Sequence, residues 1–256
     1  MSGLLNVIVF SLIGGLLSLI GGILLLASRN RAKLLANYAT PFAAGALLSA
    51  AFIDLLGEAA DEGDGQRALV YALIGILGFF VLERSIRWFH HHDHDDKDHH
   101  PGADPAISLI VIGDTLHNFI DGLAIGAGFL VSGPTGMVVA LVVALHEIPQ
   151  EIGDFGLMLH KGMTRSKVLL INAFSALATT LAAVAVYQFG GGLDGVEAPM
   201  LGLVAGFFIY IAVSDIIPSI HHTESRRLAT WQTFLLIFGA ILVWYLTTTL
   251  HHYLEV

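Results

Sequence analysis

At residues 146–154 the chain reads HEIPQEIGD, and at residues 117–122 it reads HNFIDG. Both stretches lie inside long apolar runs, where an ionisable side chain is costly to bury and therefore marks a functional site. If each run is helical, residues four apart lie on one face of the helix. That spacing gives three pairs: His117 with Asp121, His146 with Gln150, and Glu147 with Glu151.

Imidazole and carboxylate groups on two facing helices are the ligands that a divalent cation such as Zn²⁺, Fe²⁺ or Mn²⁺ prefers. An isolated buried histidine is usually held by ordinary hydrogen bonds, and an isolated intramembrane aspartate often pairs two helices. Here several polar and ionisable groups occupy two neighbouring segments at helical spacing. A metal site is therefore the favoured interpretation.

The composition predicts a membrane protein. Of the 256 residues, 55% are hydrophobic and only 13% are charged, whereas a soluble domain has about a quarter charged residues. Apolar blocks of nearly membrane-spanning length recur, and about 20 residues suffice to cross a hydrocarbon core of about 30 Å. The chain is expected to form a single multi-pass domain, residues 1–256. It has no basic patch to neutralise phosphates, so nucleic acid is not an expected partner, and it has no cysteine for disulfides or thiolate ligands.

We predict an all-α fold with eight transmembrane helices. The first apolar block lacks a basic segment before it and a small-residue cleavage site, so we interpret it as a retained helix rather than a signal peptide. The predicted helices span about residues 4–27, 38–60, 68–89, 106–131, 134–159, 166–189, 200–220 and 230–253.

A histidine-rich segment at residues 90–105 separates the third and fourth predicted helices. It has too little apolar content to fold and should be disordered, and it either binds metal loosely or is simply solvated. Lysine and arginine cluster at 29–33, 84–97, 161–167 and 226–227, after every odd-numbered helix. The positive-inside rule therefore places this segment in the cytoplasm and both termini outside.

Further polar residues in apolar segments could extend the metal pathway. Asp54 and Glu58 are four apart on the second predicted helix, Asp114 extends the stripe of the fourth helix outward, and Asp154 extends that of the fifth toward the cytoplasm. Pro149 has no N–H, so the fifth helix should bend there. A series of carboxylates across the membrane can pass a cation along because each binds it without trapping it.

These motifs resemble those of the ZIP family of divalent metal transporters, most closely its zinc-transporting branch. The similarity covers nearly the whole chain, including the histidine-rich segment and the signature Asp215-x-x-Pro218 in the seventh predicted helix. It implies inward metal transport through a two-metal site between helices 4 and 5. It also implies that helices 1–3 and 6–8 form an inverted repeat around helices 4 and 5. Such an arrangement is consistent with alternating access by an elevator-like or rocking motion.

By this resemblance the metal ligands are His117, Asn118, Asp121, His146, Glu147 and Gln150, with Glu151 from the longer form of the motif and Asn172 and Asp215 as additional pathway residues. Two positions depart from the family pattern. Gln150 stands where relatives have His or Glu, and Asp54 and Gly57 stand where they commonly have His and Pro. Because no anion at position 150 can bridge two cations, we expect one tightly held metal and a weaker or empty second position near Asn118 and Glu147.

We therefore predict a transporter of divalent transition metals, foremost zinc, with iron, manganese and cadmium as further candidates. It is not expected to be an enzyme or to hold a resident cofactor, and its expected partners are metal ions, the lipid bilayer of the plasma (inner) membrane and a second copy of the chain. The alternative is an intramembrane zinc hydrolase, since His146-Glu147 begins like the His-Glu-x-x-His protease motif. A metal sensor or receptor without transport is a third interpretation, suggested only by the histidine-rich segment.

Overall fold

The structure is a computed structural model that describes residues 3–61, 64–92, 105–190, 195–221, 223 and 225–254. Within these residues all regular structure is helical, which confirms the all-α prediction. Eight long helices follow one another along the chain: α1 (Gly3–Ala27), α2 (Arg29–Asp61), α3 (Gly65–His92), α4 (Pro105–Val131), α5 (Gly133–His160), α6 (Arg165–Gly190), α7 (197–221) and α8 (Arg226–Leu254).

Seven of these helices are long and apolar enough to cross a membrane, judged by length and composition over the described residues; α4 is not among the seven. Large apolar side chains are exposed in regular stripes. On α3 the side chains of Leu69, Leu73, Leu77 and Val81 recur every four residues and are each more than half exposed. Such a stripe would be unfavourable in water and is suited to contact with lipid.

Helix α2 begins at Arg29, well before the predicted start at Tyr38. The Ser28 hydroxyl accepts a hydrogen bond from the backbone N–H of Arg31 at 3.4 Å, which caps the helix. Arginine and lysine are good helix formers, so the basic segment continues the helix beyond its apolar part.

Helix α3 ends at His92 and so includes the first three residues of the histidine-rich segment. Residues 93–104 of that segment lie outside the described residues.

Two helices contain a π-helical segment of six residues: Ala50–Leu55 in α2 and Ile211–Ile216 in α7. In each, the fifth residue is an aspartate, Asp54 or Asp215. π segments are rare and occur frequently at functional sites. Helix α5, by contrast, runs continuously through Pro149.

The helices pack in four main pairs: α1 with α5, α4 with α6, α2 with α8, and α3 with α7. Glycines at the crossings let backbones approach closely, as small residues do in membrane proteins. A Cβ added to Gly21, Gly122, Gly45 or Gly202 would collide with a backbone carbonyl of the partner helix. Helices α4 and α5 also pack against each other, and this contact brings the two polar stretches together.

Candidate metal centre

His146 is held on α5 with one ring nitrogen engaged. Its Nδ1 lies 3.1 Å from the carbonyl oxygen of Val142, one helical turn earlier. When Nδ1 donates to that carbonyl, Nε2 carries the free lone pair that a metal requires. The side chain is almost completely buried, so its orientation is fixed by packing.

Four side chains converge on the space between α4 and α5: His117 and Asp121 from α4, and His146 and Glu147 from α5. The Nε2 of His117 lies 3.2 Å from the Nε2 of His146 and 3.2 Å from Oε1 of Glu147. The Nε2 of His146 lies 3.2 Å from Oδ2 of Asp121. One potential ligand atom from each residue lies within 4.8 Å of all the others.

These separations suit a tetrahedral ion. Bonds of about 2.1 Å to nitrogen and oxygen place neighbouring ligand atoms roughly 3.4 Å apart in a tetrahedron. The ion-pair contacts between the imidazoles and carboxylates of this group range from 3.2 to 4.0 Å. Small adjustments of the four side chains would therefore accommodate one divalent ion.

The charge and burial of the group also favour a cation. Asp121 and Glu147 are buried, and apart from their ionic contacts with the imidazoles, none of their four carboxylate oxygens has a hydrogen-bond partner among the described residues. When both imidazoles are neutral, as metal ligation requires, the two carboxylates give the group a net charge of about −2. Buried charge of this kind must be paired or coordinate a metal.

Asn118 contacts α6 rather than joining this group of four. Its Nδ2 donates to the backbone oxygen of Asp114 at 3.1 Å and to Oδ1 of the same residue at 3.1 Å, and it lies 3.4 Å from Oγ of Ser175. Its Oδ1 accepts a hydrogen bond from Oγ1 of Thr179 at 2.9 Å. The network fastens α4 to α6 and so positions the helix that carries His117 and Asp121.

Ser175 and Thr179 were not predicted from the sequence. A lone hydroxyl in an apolar helix is common, because it can donate to its own helix backbone. Their spacing could have indicated a common polar face, because Asn172, Ser175 and Thr179 follow one another at intervals of three and four residues on one helix.

The other predicted residues lie around this centre. Asp114, Glu151 and Asn172 are buried, as is Asp54 in the π segment of α2, whereas Asp154, Gln150 and Glu58 are partly exposed. Asp215 lies in the π segment of α7. Glu151 is near enough to the carboxyl groups of Asp114, Glu147 and Asp154 for like-charge repulsion to act between them.

Asp114 and Asp154 lie at the same end of the pair α4 and α5, so the expectations that Asp114 extends the stripe outward and Asp154 toward the cytoplasm cannot both hold. Helices α4 and α5 follow each other through the short turn at Ser132 and are antiparallel. A residue that precedes the cluster on α4 therefore lies at the same end as residues that follow it on α5.

Several known proteins that are similar to this chain are named as zinc transporters. A family model described as "ZIP Zinc transporter" matches residues 2–108 and 103–247. Zinc transporter ZIP4 of Mus musculus is 41% identical over 128 residues, which are 50% of this chain and 19% of the relative. Zinc transporter ZIP6 of Homo sapiens is 38% identical over 117 residues, 46% of this chain and 16% of that protein. Zinc transporter ZIP13 of Pongo abelii is 30% identical over 217 residues, 79% of this chain and 64% of the relative. The matched segments thus span less than two thirds of these relatives.

Proposed function

This chain belongs to the ZIP zinc transporter family, and from that premise we propose that it carries divalent transition-metal cations, foremost zinc, into the cytoplasm through the centre between α4 and α5. The observation that carries the proposal is the group of four ligands, His117, Asp121, His146 and Glu147, placed within helices of membrane-spanning length. Its mixed nitrogen and oxygen donors suit zinc and also iron, manganese and cadmium.

The ligand arrangement favours transport over hydrolysis. A zinc hydrolase needs an open coordination position and a free general base. Here Glu147, the residue that would serve as base, contacts His117 at 3.2 Å and is itself one of the four candidate ligands. Two ligands come from each helix, so a relative shift of α4 and α5 would open the cage and release the ion.

The proposed orientation of the chain in the membrane rests on the charges at the helix ends, and the inward direction of transport rests on the family resemblance. Basic residues follow α1, α3, α5 and α7, as at Arg29, Lys161 and Arg226, and the opposite loops contain Arg67 beside acidic residues. The positive-inside rule supports termini outside and the histidine-rich segment in the cytoplasm of a cell whose plasma (inner) membrane holds the protein.

The packing supports an inverted repeat of α1–α3 and α6–α8 around α4 and α5. In such a repeat a two-fold operation exchanges α1 with α6, α2 with α7, α3 with α8 and α4 with α5. It converts the packed pair α1–α5 into α6–α4 and the pair α2–α8 into α7–α3. All four of these pairs occur in the structure. The two π segments fall on exchanged helices, each with an aspartate at its fifth residue. Two such repeats can rock, or move as an elevator, to expose the centre to either side in turn.

Uptake of zinc by purified protein in liposomes tests the proposal. Radioactive zinc should accumulate inside the vesicles above the level of protein-free liposomes, and unlabelled cadmium, iron or manganese should compete. Accumulation equal to that of protein-free liposomes, from correctly folded and inserted protein, would exclude transport. Cleavage of a peptide by the same preparation would instead support the hydrolase.

The histidine-rich segment should be dispensable for permeation. Deleting residues 90–100 is expected to leave the maximal uptake rate within about a factor of two or three, because this polar segment lies outside the apolar spans. The half-saturating zinc concentration should shift, since histidine-rich tracts bind metal loosely. The same liposome assay measures both quantities, and a deletion variant that inserts normally but transports nothing would place the segment in the pathway.

A further inference from the structure

An open cleft lies at the end of the bundle where α1 joins α2 and α5 joins α6. Its volume is about 440 Å³, which is within the range of pockets that hold small molecules. Ser28 and Arg29 line the cleft from the first of these turns, and Thr164 and Arg165 line it from the second. The cleft is separate from the metal centre, because none of the four candidate ligands lines it.

The lining of the cleft carries positive charge that no nearby part of the sequence offsets. Arg29 and Arg165 are exposed, and neither guanidinium forms an ion pair with a carboxylate in the described part of the chain. Residues 1–53 and 155–193, which supply the whole lining, contain no aspartate or glutamate. The two arginines are far apart in the chain, so the sequence shows no basic run here. Two guanidinium groups on one cleft repel each other, and an anion between them would be stabilising.

Another part of the lining is apolar. Leu25 and Leu26 of α1 and Leu159 of α5 line the cleft, and these side chains pack against the cluster that contains the buried Phe155 and Met158. The cleft therefore combines guanidinium and hydroxyl groups with a hydrocarbon surface. A ligand that suits both parts has an anionic group attached to an apolar chain.

The cleft lies about where the hydrocarbon core of a membrane would end. Ile23 on α1 and Leu170 on α6 are apolar and more than half exposed, as suits contact with lipid. Five to six residues separate them from Arg165 and Arg29, which corresponds to about 8 Å along a helix. Guanidinium groups at that height reach the headgroup region, which extends roughly 5–8 Å beyond the hydrocarbon core on each side.

We propose that this cleft binds the headgroup of an anionic phospholipid, with the phosphate between Arg29 and Arg165 and an acyl chain along the apolar lining. A guanidinium offers paired N–H donors that match two phosphate oxygens, and the hydroxyls of Ser28 and Thr164 add further donors. The proposed orientation of the chain puts the cleft in the cytoplasmic leaflet, where basic pockets beside membrane-spanning helices recognise lipid headgroups. Such binding would not depend on metal transport.

A lipid fits the cleft better than a nucleic acid or a free phosphate does. Two arginines can hold one phosphate group, whereas a nucleic acid needs a series of basic residues along its backbone. A free phosphate would leave the apolar lining exposed to water, and an acyl chain would cover it.

Lipid titration of the full-length protein in detergent, followed by native mass spectrometry, tests the cleft. Phosphatidylglycerol and phosphatidylcholine with identical acyl chains are compared, because they differ in net charge. Phosphatidylglycerol should bind at least about tenfold more tightly, since only it presents an uncompensated anion to the arginines. It should also raise the melting temperature, because a ligand that binds only the folded state stabilises that state. Glycerol phosphate, which lacks acyl chains, should not displace it at equal concentration.

A matched pair of double variants separates the cleft from the general positive charge at this end of the bundle. Arg29→Gln combined with Arg165→Gln should abolish the preference for phosphatidylglycerol. Arg31→Gln combined with Lys167→Gln removes the same charge from exposed side chains that do not line the cleft. This second pair should bind within about a factor of two of wild type, because exposed charges are screened by salt. Ala27→Trp, which fills the cleft and keeps every charge, should weaken binding as the first pair does.

Each contrary result overturns the proposal in a different way. Equal affinity of wild-type protein for the two lipids would show that the arginines do not select an anion. Equal losses in both double variants would indicate diffuse attraction to a basic surface, and unchanged binding by Ala27→Trp would place the lipid elsewhere. Displacement by glycerol phosphate would identify a soluble phosphate compound as the ligand. If Ala27→Trp fails to fold, the two double variants decide alone.

Discussion

Replacing His117 or His146 by alanine is expected to abolish zinc uptake, with a loss of at least about 100-fold, because even an indirect disturbance of a metal ligand commonly weakens binding by 10–100-fold. Each substitution removes one of the two nitrogen donors of the centre. The two imidazoles also contact the buried carboxylates of Asp121 and Glu147. Without one imidazole, the negative charges of these carboxylates would be less well compensated. Asp121→Ala should impair uptake nearly as much.

The control is His160→Ala, which removes a histidine from the end of the same helix, far along the chain from the centre. It should transport at the wild-type rate. All variants should elute as wild type in size-exclusion chromatography, because a loss of uptake is informative only for folded protein. Wild-type uptake by folded His117→Ala protein would contradict the assignment of the centre.

Gly45→Ala is expected to destabilise the protein by about 1–3 kcal/mol, the usual result of overpacking a close contact. Gly45 lies where α2 crosses α8, and an added Cβ would lie 2.9 Å from the backbone nitrogen of Ala240 and still closer to the backbone oxygen of Leu236. Both are backbone atoms, so the helices themselves would have to separate. Thermal unfolding in detergent, followed by circular dichroism, should show a lower melting temperature.

Gly78→Ala is the matched control for this prediction. Gly78 lies within α3, and an added Cβ would meet no atom within 4 Å. Because alanine favours the helix more than glycine does, this variant should be as stable as wild type or slightly more stable. Equal melting temperatures for the two variants would show that α2 and α8 can separate at this crossing without cost.

The helices and the grouping of the four candidate ligands leave strong signals in the sequence. Apolar runs of about 20 residues are rare outside membrane-spanning helices, and ionisable residues inside them are costly. The i, i+4 spacing correctly paired His117 with Asp121 on one face of α4. The same spacing could not show which residues of α5 face α4. In the structure these are His146 and Glu147, which are adjacent in sequence and which form one group with His117 and Asp121.

Other features depended on tertiary structure. Glu151 and Asp114 lie at the same end of the centre because α4 and α5 are antiparallel. The spacing of residues within one helix does not reveal how two helices align. The π segments at Asp54 and Asp215 have no pattern in the sequence that distinguishes them from regular helix. The early start of α2 was missed because charged residues were assigned to a loop, although they are good helix formers.

The most direct test of the central claim is to locate the metal. Crystals of the protein grown with zinc can be measured at wavelengths above and below the zinc absorption edge, and the difference identifies zinc alone. We predict that the strongest peak lies between α4 and α5, at about 2.0–2.2 Å from Nε2 of His117 and His146 and from a carboxylate oxygen of Asp121 and Glu147. A protein that takes up zinc but shows its strongest peak away from these four side chains would contradict the account.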